Sequence, residues 1–481
     1  MEKTKSTEGI TARKEDNFSE WFTQLMIKSK LADYSSVSGC MILRPDSYCI
    51  WEEIVKSCDK LFKKIGVQNS YFPLLIPESS FSKEKEHVEG FSPEVAWVTH
   101  AGNTKLAERL AIRPTSEAIM YESYSKWIRS WRDLPLLLNQ WNNVIRWEFK
   151  HPVPFFRTRE FLWNEMHTAF ADKEEALRHG KEVIKAYTKV TEELMALPGI
   201  YGRKTESEKF AGAVFSEKMH HYLPNGKVIE GVCFHYDGQN FSKAYDIKFK
   251  TKEEKTDYVY QNTHAISTRM LGTMFAIHSD DKGLVIPPKI AQNKLVIIPL
   301  KFENDKNILK KASDIEKKLS KFSPLLDERT EVSPGYKFHE WELKGIPIRL
   351  EFGPQDMEKK QVILVKRNDG KKIPVKITDL EKTIPEVLEK IQAELFEKAE
   401  NVLKSNIKKA EEKKDLIKFI KEKQIVISPM CKADGCEELL KSETGGAKTL
   451  FIDPASQQVK GKKCIICGKS ADYMVYIGKT Y

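Results

Sequence analysis

Long apolar runs are missing. Nowhere does the chain approach the roughly 20 apolar residues that a membrane span needs, which excludes an ordinary helical membrane protein. The opening stretch "MEKTKSTEGITARKED" is polar and has no signal-peptide core, so a soluble, cytoplasmic protein without a membrane partner is expected. Cysteine is scarce: eight in 481 residues are too few for a disulfide scaffold. No internal repeat is visible, and there is no strong excess of one charge. The net charge of +10 is a modest basic balance, compatible with a nucleic-acid partner without establishing one. What remains, 41% apolar and 10% aromatic, is an ordinary globular composition on a chain long enough for several domains and a large core.

Local patterning divides the chain. "DNFSEWFTQLMIKSKLADY" reads as an amphipathic helix with Asp16 or Asn17 as its cap, and "RPDSYCIWEEIVKSCDKLFKKIG" as a second helix closed by Gly66. That helix leads into an expected apolar strand, "SYFPLLIP". Strand-like runs recur up to "GLVIPPKIAQN", where a Pro-Pro pair marks a boundary near residue 290. Beyond it "KLVIIPL", "IPIRLEF" and "QVILVKR" read as strands, while "DKNILKKASDIEKKLSKF" and "IPEVLEKIQAELFEKAENVLKS" read as helices. Such alternation predicts a compact α/β domain over 291–398. The lysine-rich stretch "NIKKAEEKKDLIKFIKEKQ" reads as a helix with a solvated face and opens a terminal unit over 399–481.

The stretch "FKHPVPFFRTREFLWNEMHTAF" carries the strongest chemical signal. From Arg157 onward alternate residues are Arg157, Arg159, Phe161, Trp163, Glu165 and His167, and a period of two puts them on one face of a strand. Ion pairing on a solvated sheet face would explain the charges. A large aromatic between them points instead to a pocket floor. A preceding strand, "LPLLLNQWNNVIRWEF", brings Arg146 and Glu148 two residues apart. The two strands, joined by the turn-like "KHPVPF", would gather these groups on one surface, where a guanidinium can grip two phosphate or carboxylate oxygens.

Near the end stand Cys431 with Cys436, and Cys464 with Cys467. Two close pairs match a tetrahedral structural zinc site; four unligated buried thiols are the alternative. Cys40, Cys49 and Cys58 show no ligand spacing and read as packing residues.

These motifs resemble the class II aminoacyl-tRNA synthetases. "VIRWE" with Arg146 and Glu148 looks like motif 2, "GVQNSYFPLL" ending near Pro73 like the dimer-forming motif 1, and "THAISTRMLGTMFAIH" with Arg269 like motif 3. Within the class the chain is most similar to the prolyl-tRNA synthetase family of archaeal and eukaryote-like type. "FSKEKEHVEGFSPEVAWVTHAG", "RPTSEAIMY", "RTREFLWNEMHTAFA", "GQNFSKAYDI" and "WELKGIPIRLEFGPQDM" carry the likeness across nearly the whole chain.

The resemblance implies a multidomain α/β and α+β protein. An antiparallel-sheet class II catalytic domain of six or seven strands is expected over 1–290, an α/β anticodon-binding domain over 291–398, and a zinc-binding α/β domain over 399–481. It implies a homodimer that takes L-proline, ATP with Mg²⁺, and tRNA(Pro), forms prolyl-adenylate, and transfers the prolyl group to the tRNA. Arg146 and Arg269 would carry the catalytic charge stabilisation. Thr115, Glu117, Arg146, Phe91, Trp163, Glu165, His167, Cys233 and His235 would form the proline site, although Phe91 and Trp163 also suit plain core packing. Arg146, Glu148, Arg157, Thr158, Glu230, Ser267 and Arg269 would hold ATP.

Cys431, Cys436, Cys464 and Cys467 would hold zinc, and the terminal Tyr481 would lie near the active site. Glu342 and Arg349 would read anticodon guanines, with an ion pair within the domain as the alternative and Lys366, Arg367 or Lys371 as substitutes. "GVCFHYDGQNFS" departs from the family pattern: Cys233 replaces a usual threonine, Phe234 a serine, and Glu230 a glutamine. The span from Glu148 to Arg269 is too short for the large editing insertion of bacterial-type enzymes, so no editing in cis is expected. The rival readings are an adenylate-forming paralogue that charges no tRNA, and an RNA-binding protein on an inactive scaffold.

Overall fold

A computed structural model of the chain describes residues 9–80, 94–148, 152–455 and 459–481. Its centre is a sheet running, in spatial order, through Gln68–Asn69, Leu136–Ile145, Glu160–Phe170, Tyr260–Ala265, Val228–Gly238, Phe215–Tyr222 and Ile200–Arg203. Neighbours are antiparallel except the first pair. Leu136–Ile145 and Glu160–Phe170 pair from Leu136 with Ala169 to Ile145 with Glu160. This register sends Met166 and Phe170 to one face, where they join Ile54, Phe62, Val183, Tyr187 and Phe275 in the main core. Phe161, Trp163, Glu165 and His167 are left on the opposite face, as period-two geometry requires.

The core-side face is covered by helices Pro45–Lys64, Lys173–Lys189 and Arg269–His278. Helix Phe18–Lys28 is capped by Asn17, whose side chain accepts from the Glu20 N–H, and Gly66 follows Pro45–Lys64 with φ +84°. That is a left-handed helix ending that glycine adopts without strain.

Several expectations need correction. The strand begins at Glu160, because Val153 and Arg157 pair across a turn over residues 154–156 that includes Pro154; Arg157 and Arg159 therefore precede the pocket strand. Of "SYFPLLIP" only Leu75–Pro77 is a strand, pairing with Thr104–Ile112. Helices Glu117–Trp127 and Lys173–Lys189 lie where strand-like runs were read, and helix Pro334–Lys344 precedes the strand Ile348–Phe352. The lysine-rich stretch first forms the strand Ile407–Lys409 and only then the helix Lys413–Lys421.

The second sheet has Leu295–Pro299 and Ile348–Phe352 in parallel at its centre, with Gln361–Lys366 and Lys372–Lys376 added antiparallel. Helix Leu380–Ser405 packs on it and continues past residue 398 into the contacts of the terminal unit, where Leu403 meets Val228 and Ile425. Strands Ile425–Met430, Tyr473–Lys479 and Ala447–Ile452 extend the central sheet through a pairing of Ile452 with Arg203. Among the described residues no helix is long and apolar enough to cross a membrane.

Candidate active site

A cavity of about 270 Å³ opens on the polar face of the central sheet. One end is acidic. Helix Glu117–Trp127 starts at the pocket, and Thr115 Oγ1 donates to the Glu117 carboxylate there; both residues are buried. The N-terminal dipole of that helix favours the negative charge. Glu165, 2% exposed, accepts from Gln140 Nε2 at 3.2 Å, lies 3.9 Å from His167 Nε2, and has a second oxygen without a protein partner. Burial, then the nearby Glu117 charge, raises its pKa to about 7 despite hydrogen bonds from Ser116 and Gln140. Burial lowers His167, whose Nδ1 is 3.0 Å from the Tyr121 hydroxyl.

The other end is basic. Arg146 follows directly on the strand Leu136–Ile145; its Nε donates to the Pro114 carbonyl at 3.1 Å, and its guanidinium lies 5.1 Å from the Trp163 ring and 5.5 Å from that of Phe161. Arg269, the first residue of its helix, donates from Nε to the Phe156 carbonyl at 3.1 Å and from Nη1 to the Glu230 carbonyl at 3.4 Å. The Glu230 carboxylate takes Lys218 at 2.7 Å and Lys204 at 3.1 Å. Burial alone would raise Glu230, but those two lysines hold it well below the usual carboxylate range. Burial pushes the Cys233 thiol up and lowers His235 to about 3. A cation can settle against the Glu117 carboxylate, beside a Glu165 whose ionised form is disfavoured until a cation arrives, while oxyanions face Arg146 and Arg269.

The cavity brings together Thr115, Glu117, Arg146, Trp163, Glu165, His167, Glu230, Cys233, His235, Ser267 and Arg269. It does not gather every candidate. Glu148 is exposed in a turn beyond the strand rather than beside Arg146 on it, and Arg157 is exposed in the Val153 turn. Thr158 lines an adjoining cavity with Phe161 and Thr268, and a small recess with Ser267 and Arg269. Phe91 lies outside the described residues.

Sequence reading missed Lys204, Lys218, Glu208, Lys209 and Phe210, of which all but Lys204 line the cavity. The alternation Ser216, Lys218, His220 in the strand Phe215–Tyr222 carried a trace of Lys218. Tyr481 stacks on Phe156 at 4.9 Å and accepts from Asn225 Nδ2 at 2.8 Å, one residue contact away from Arg269.

Two further sites stand apart. Glu342, on helix Pro334–Lys344, and Arg349, on the strand Ile348–Phe352, border a recess with Trp341, Lys366 and Arg367. Arg349 Nη1 is 3.5 Å from Glu342 Oε1, and its Nε is 2.7 Å from Glu351 Oε1, so the pair is engaged within the domain. The sulfurs of Cys431, Cys436, Cys464 and Cys467 all lie within 4.8 Å of one another, with contacts of 3.4, 3.7 and 4.0 Å. Thiolates about 2.3 Å from a tetrahedral zinc stand about 3.8 Å apart, so this donor set fits that ion.

Residues 97–278 match the tRNA synthetase class II core domain (G, H, P, S and T), residues 294–387 the anticodon binding domain, and residues 413–481 the prolyl-tRNA synthetase C-terminal domain. A proline–tRNA ligase of Ruminiclostridium cellulolyticum is 44% identical over 479 residues, covering 99% of each chain. A putative proline–tRNA ligase of Saccharomyces cerevisiae is also 44% identical, over 98% of this chain and 73% of that protein. A bifunctional glutamate/proline–tRNA ligase of Cricetulus griseus is 42% identical over 98% of this chain, which spans only 33% of that longer protein. The crystal structure of prolyl-tRNA synthetase from Cryptosporidium parvum complexed with halofuginone and AMPPNP superposes with a TM-score of 0.94 at 41% identity, covering 99% of this chain and 100% of that one.

Proposed function

The chain belongs to the prolyl-tRNA synthetase family of class II aminoacyl-tRNA synthetases, and from that premise we infer that it activates proline with ATP and transfers the prolyl group to tRNA(Pro). The observation that carries this reading is one cavity that holds the buried carboxylates of Glu117 and Glu165 together with the guanidinium groups of Arg146 and Arg269. The proline imino cation would sit against Glu117, Thr115 and Glu165. Trp163, His167, Cys233 and His235 would enclose its ring. Arg146 would hold the substrate carboxylate against the α-phosphate, and Arg269 the departing phosphates. Ser267 and Glu230 would border the nucleotide, Thr158 would sit in the neighbouring cavity, and Glu148 and Arg157 would have to turn inward from their exposed positions to reach it.

The proline carboxylate oxygen attacks the α-phosphorus, pyrophosphate leaves, and the 3′-terminal hydroxyl of the tRNA then takes the prolyl group from AMP. Catalysis is positioning plus charge stabilisation by fixed donors, with no covalent enzyme intermediate. Mg²⁺ would enter with ATP and neutralise phosphate charge. Glu342 and Arg349 would read anticodon bases, and zinc on the four cysteines would be structural, since four protein ligands leave no open position. A cytoplasmic homodimer is the assembly this reading favours.

The test is ATP–pyrophosphate exchange driven by each amino acid in turn, followed by charging of tRNA(Pro). Proline should drive exchange far above any other amino acid; equal exchange with several of them would overturn the reading.

A further inference from the structure

One wall of the pocket is held from outside the catalytic core. Residues 204–210 follow the strand Ile200–Arg203 and contribute Glu208, Lys209 and Phe210 to the cavity. Glu437, 6% exposed on the helix Asp434–Thr444 of the terminal unit, accepts from Ser207 Oγ on one carboxylate oxygen and from Thr449 Oγ1 at 3.1 Å on the other. Thr205 Oγ1 lies 3.2 Å from Thr449 Oγ1, which closes a cluster of three hydroxyls around one carboxylate, with Thr205, Thr449 and Glu437 buried and Ser207 at the exposed edge. Lys441 and Lys448 add ion pairs to Glu208 at 3.3 and 3.2 Å. The two units also meet without a gap, since a Cβ on Gly202 would stand 2.2 Å from the Phe451 ring.

The inner side of the loop bears on His235. The Phe210 N–H donates to Ser216 Oγ at 2.8 Å, that oxygen is 2.7 Å from His235 Nδ1, and the Phe210 and His235 rings are 4.7 Å apart. Arg146 and Arg269, by contrast, are anchored on the carbonyls of Pro114 and Phe156, which belong to the core. Lys204, which pairs with Glu230, is pinned at the root of the loop by its own N–H to the Ser216 carbonyl at 2.8 Å, so loosening the loop beyond it should fall on the His235 side of the cavity and spare the guanidinium side.

We propose that Glu437 is a positioning residue for proline: by anchoring the 204–210 loop through Ser207 and Thr205, it sets Phe210 and Ser216 so that His235 closes the proline pocket. This rests on reading the cavity as the proline site. A buried carboxylate with two hydroxyl donors suits the task, because its hydrogen bonds are directional and charge-assisted, which a surface ion pair between long flexible side chains is not.

Glu437→Leu removes the acceptor while keeping the volume, and Ser207→Ala removes one donor. In pyrophosphate exchange each should raise KM for proline about three- to tenfold, the size of a lost hydrogen bond. KM for ATP and kcat should stay within about twofold, and the double variant should be no worse than Glu437→Leu alone, since Glu437→Leu already removes the Ser207–Glu437 hydrogen bond that Ser207→Ala breaks. Glu437→Gln, whose amide oxygen still accepts one hydroxyl, should recover part of the loss. Equal rises in KM for proline and ATP, or an unchanged KM for proline in Ser207→Ala, would overturn the proposal. If Glu437→Leu does not fold, Ser207→Ala and Thr205→Val decide the matter by the same criteria. Wild-type protein that shows no proline-driven exchange would instead remove the proline reading itself, and the proposal with it.

Discussion

Arg367 and Asp280 form a two-toothed ion pair, with Nη2 and Nη1 at 2.7 and 2.8 Å from the carboxylate oxygens, across the junction between the class II core and the anticodon-binding domain. Asp280 lies just beyond the helix Arg269–His278, and Arg367 Nε also donates to the Glu342 carbonyl at 2.9 Å. Burial would raise Asp280, but Arg367 and the N–H groups of Lys282 and Gly283 hold it below the usual aspartate range. One guanidinium thus ties the end of the helix that begins with Arg269 to the helix that carries Glu342. Arg367 is occupied as an anchor, and Lys366 is likewise engaged by Asp369 and Glu394 at 2.9 and 2.5 Å. Neither is a ready substitute for base reading.

Glu117→Gln should raise KM for proline by about ten- to a hundredfold, because each charge-assisted hydrogen bond is worth about 1.5–3 kcal/mol. KM for ATP should move little, since the charged groups that act on Arg269 are Glu230, Arg146 and Arg157 rather than Glu117. Pyrophosphate exchange with each substrate varied separately reads this directly. Equal effects on both substrates would make Glu117 a structural residue.

Arg146→Lys should lose most adenylate formation although the charge is kept. Lysine offers a point charge and cannot hold two acceptors in fixed register, and it also gives up the face of the guanidinium toward Phe161 and Trp163. Near-wild-type exchange by a folded Arg146→Lys protein would count against the assigned role.

The alternation from Phe161 to His167 was legible because a strand's period of two is a local property and the residues are chemically unusual. The same local logic offered Asp16 or Asn17 as a cap, of which Asn17 serves, and read the cysteine pairs as one cluster. It failed at Arg157 and Arg159, where the turn over residues 154–156 takes both out of the strand. It failed again at Glu148, placed by extending a strand that stops at Ile145. Lys204 and Lys218 were invisible for a different reason. Their meeting at Glu230 depends on pairing of the strands Phe215–Tyr222 and Val228–Gly238 with a register shift between Lys218 and His220. The contact of Ser207 with Glu437 joins positions 230 residues apart, which no local pattern can announce.

Acid should weaken the anticodon-binding domain in a window set by Asp327. Burial would raise this carboxyl, yet Arg329, Trp341 and Lys337 hold it down at about 2. Its folded value lies below the unfolded one of about 3.9, so its contribution is fully present above pH 4 and is lost as the pH falls toward 2. The linked stability is about 2 kcal/mol, and Asp327→Asn should remove that part of the pH dependence. Denaturant melts at pH 5 and pH 3 should show a smaller difference in the variant. An identical pH response would dismiss Asp327 as the source.

Purified protein should carry about one zinc per chain, from the four-thiolate donor count. Strong chelators should lower Tm before they lower kcat, because the fitted site has no open coordination position. Elemental analysis that finds no zinc, together with rapid native-state alkylation of Cys431, Cys436, Cys464 and Cys467, would remove the site.

The charged pair at the recess of the second domain separates tRNA reading from adenylate chemistry. Carboxylates accept from the amino and imino edge of guanine, and arginine donates to its O6 and N7. Unstacked RNA loops expose such edges. Arg349 also holds Glu351, which is 6% exposed, so Arg349→Ala would leave that buried carboxylate with only the longer contact to Lys372 at 3.7 Å and confuse recognition with stability. Glu342 is the cleaner position, since its ion pair to Arg349 is longer, at 3.5 Å, and its carboxylate is more exposed. Glu342→Gln should cost about 1–3 kcal/mol in charging of tRNA(Pro), as one lost base contact does. Pyrophosphate exchange, which needs ATP and proline alone, should stay near wild type, and so should Tm. A parallel fall in exchange and charging would assign Glu342 to holding the domain through Arg349. Unchanged charging would mean that this recess does not read the anticodon.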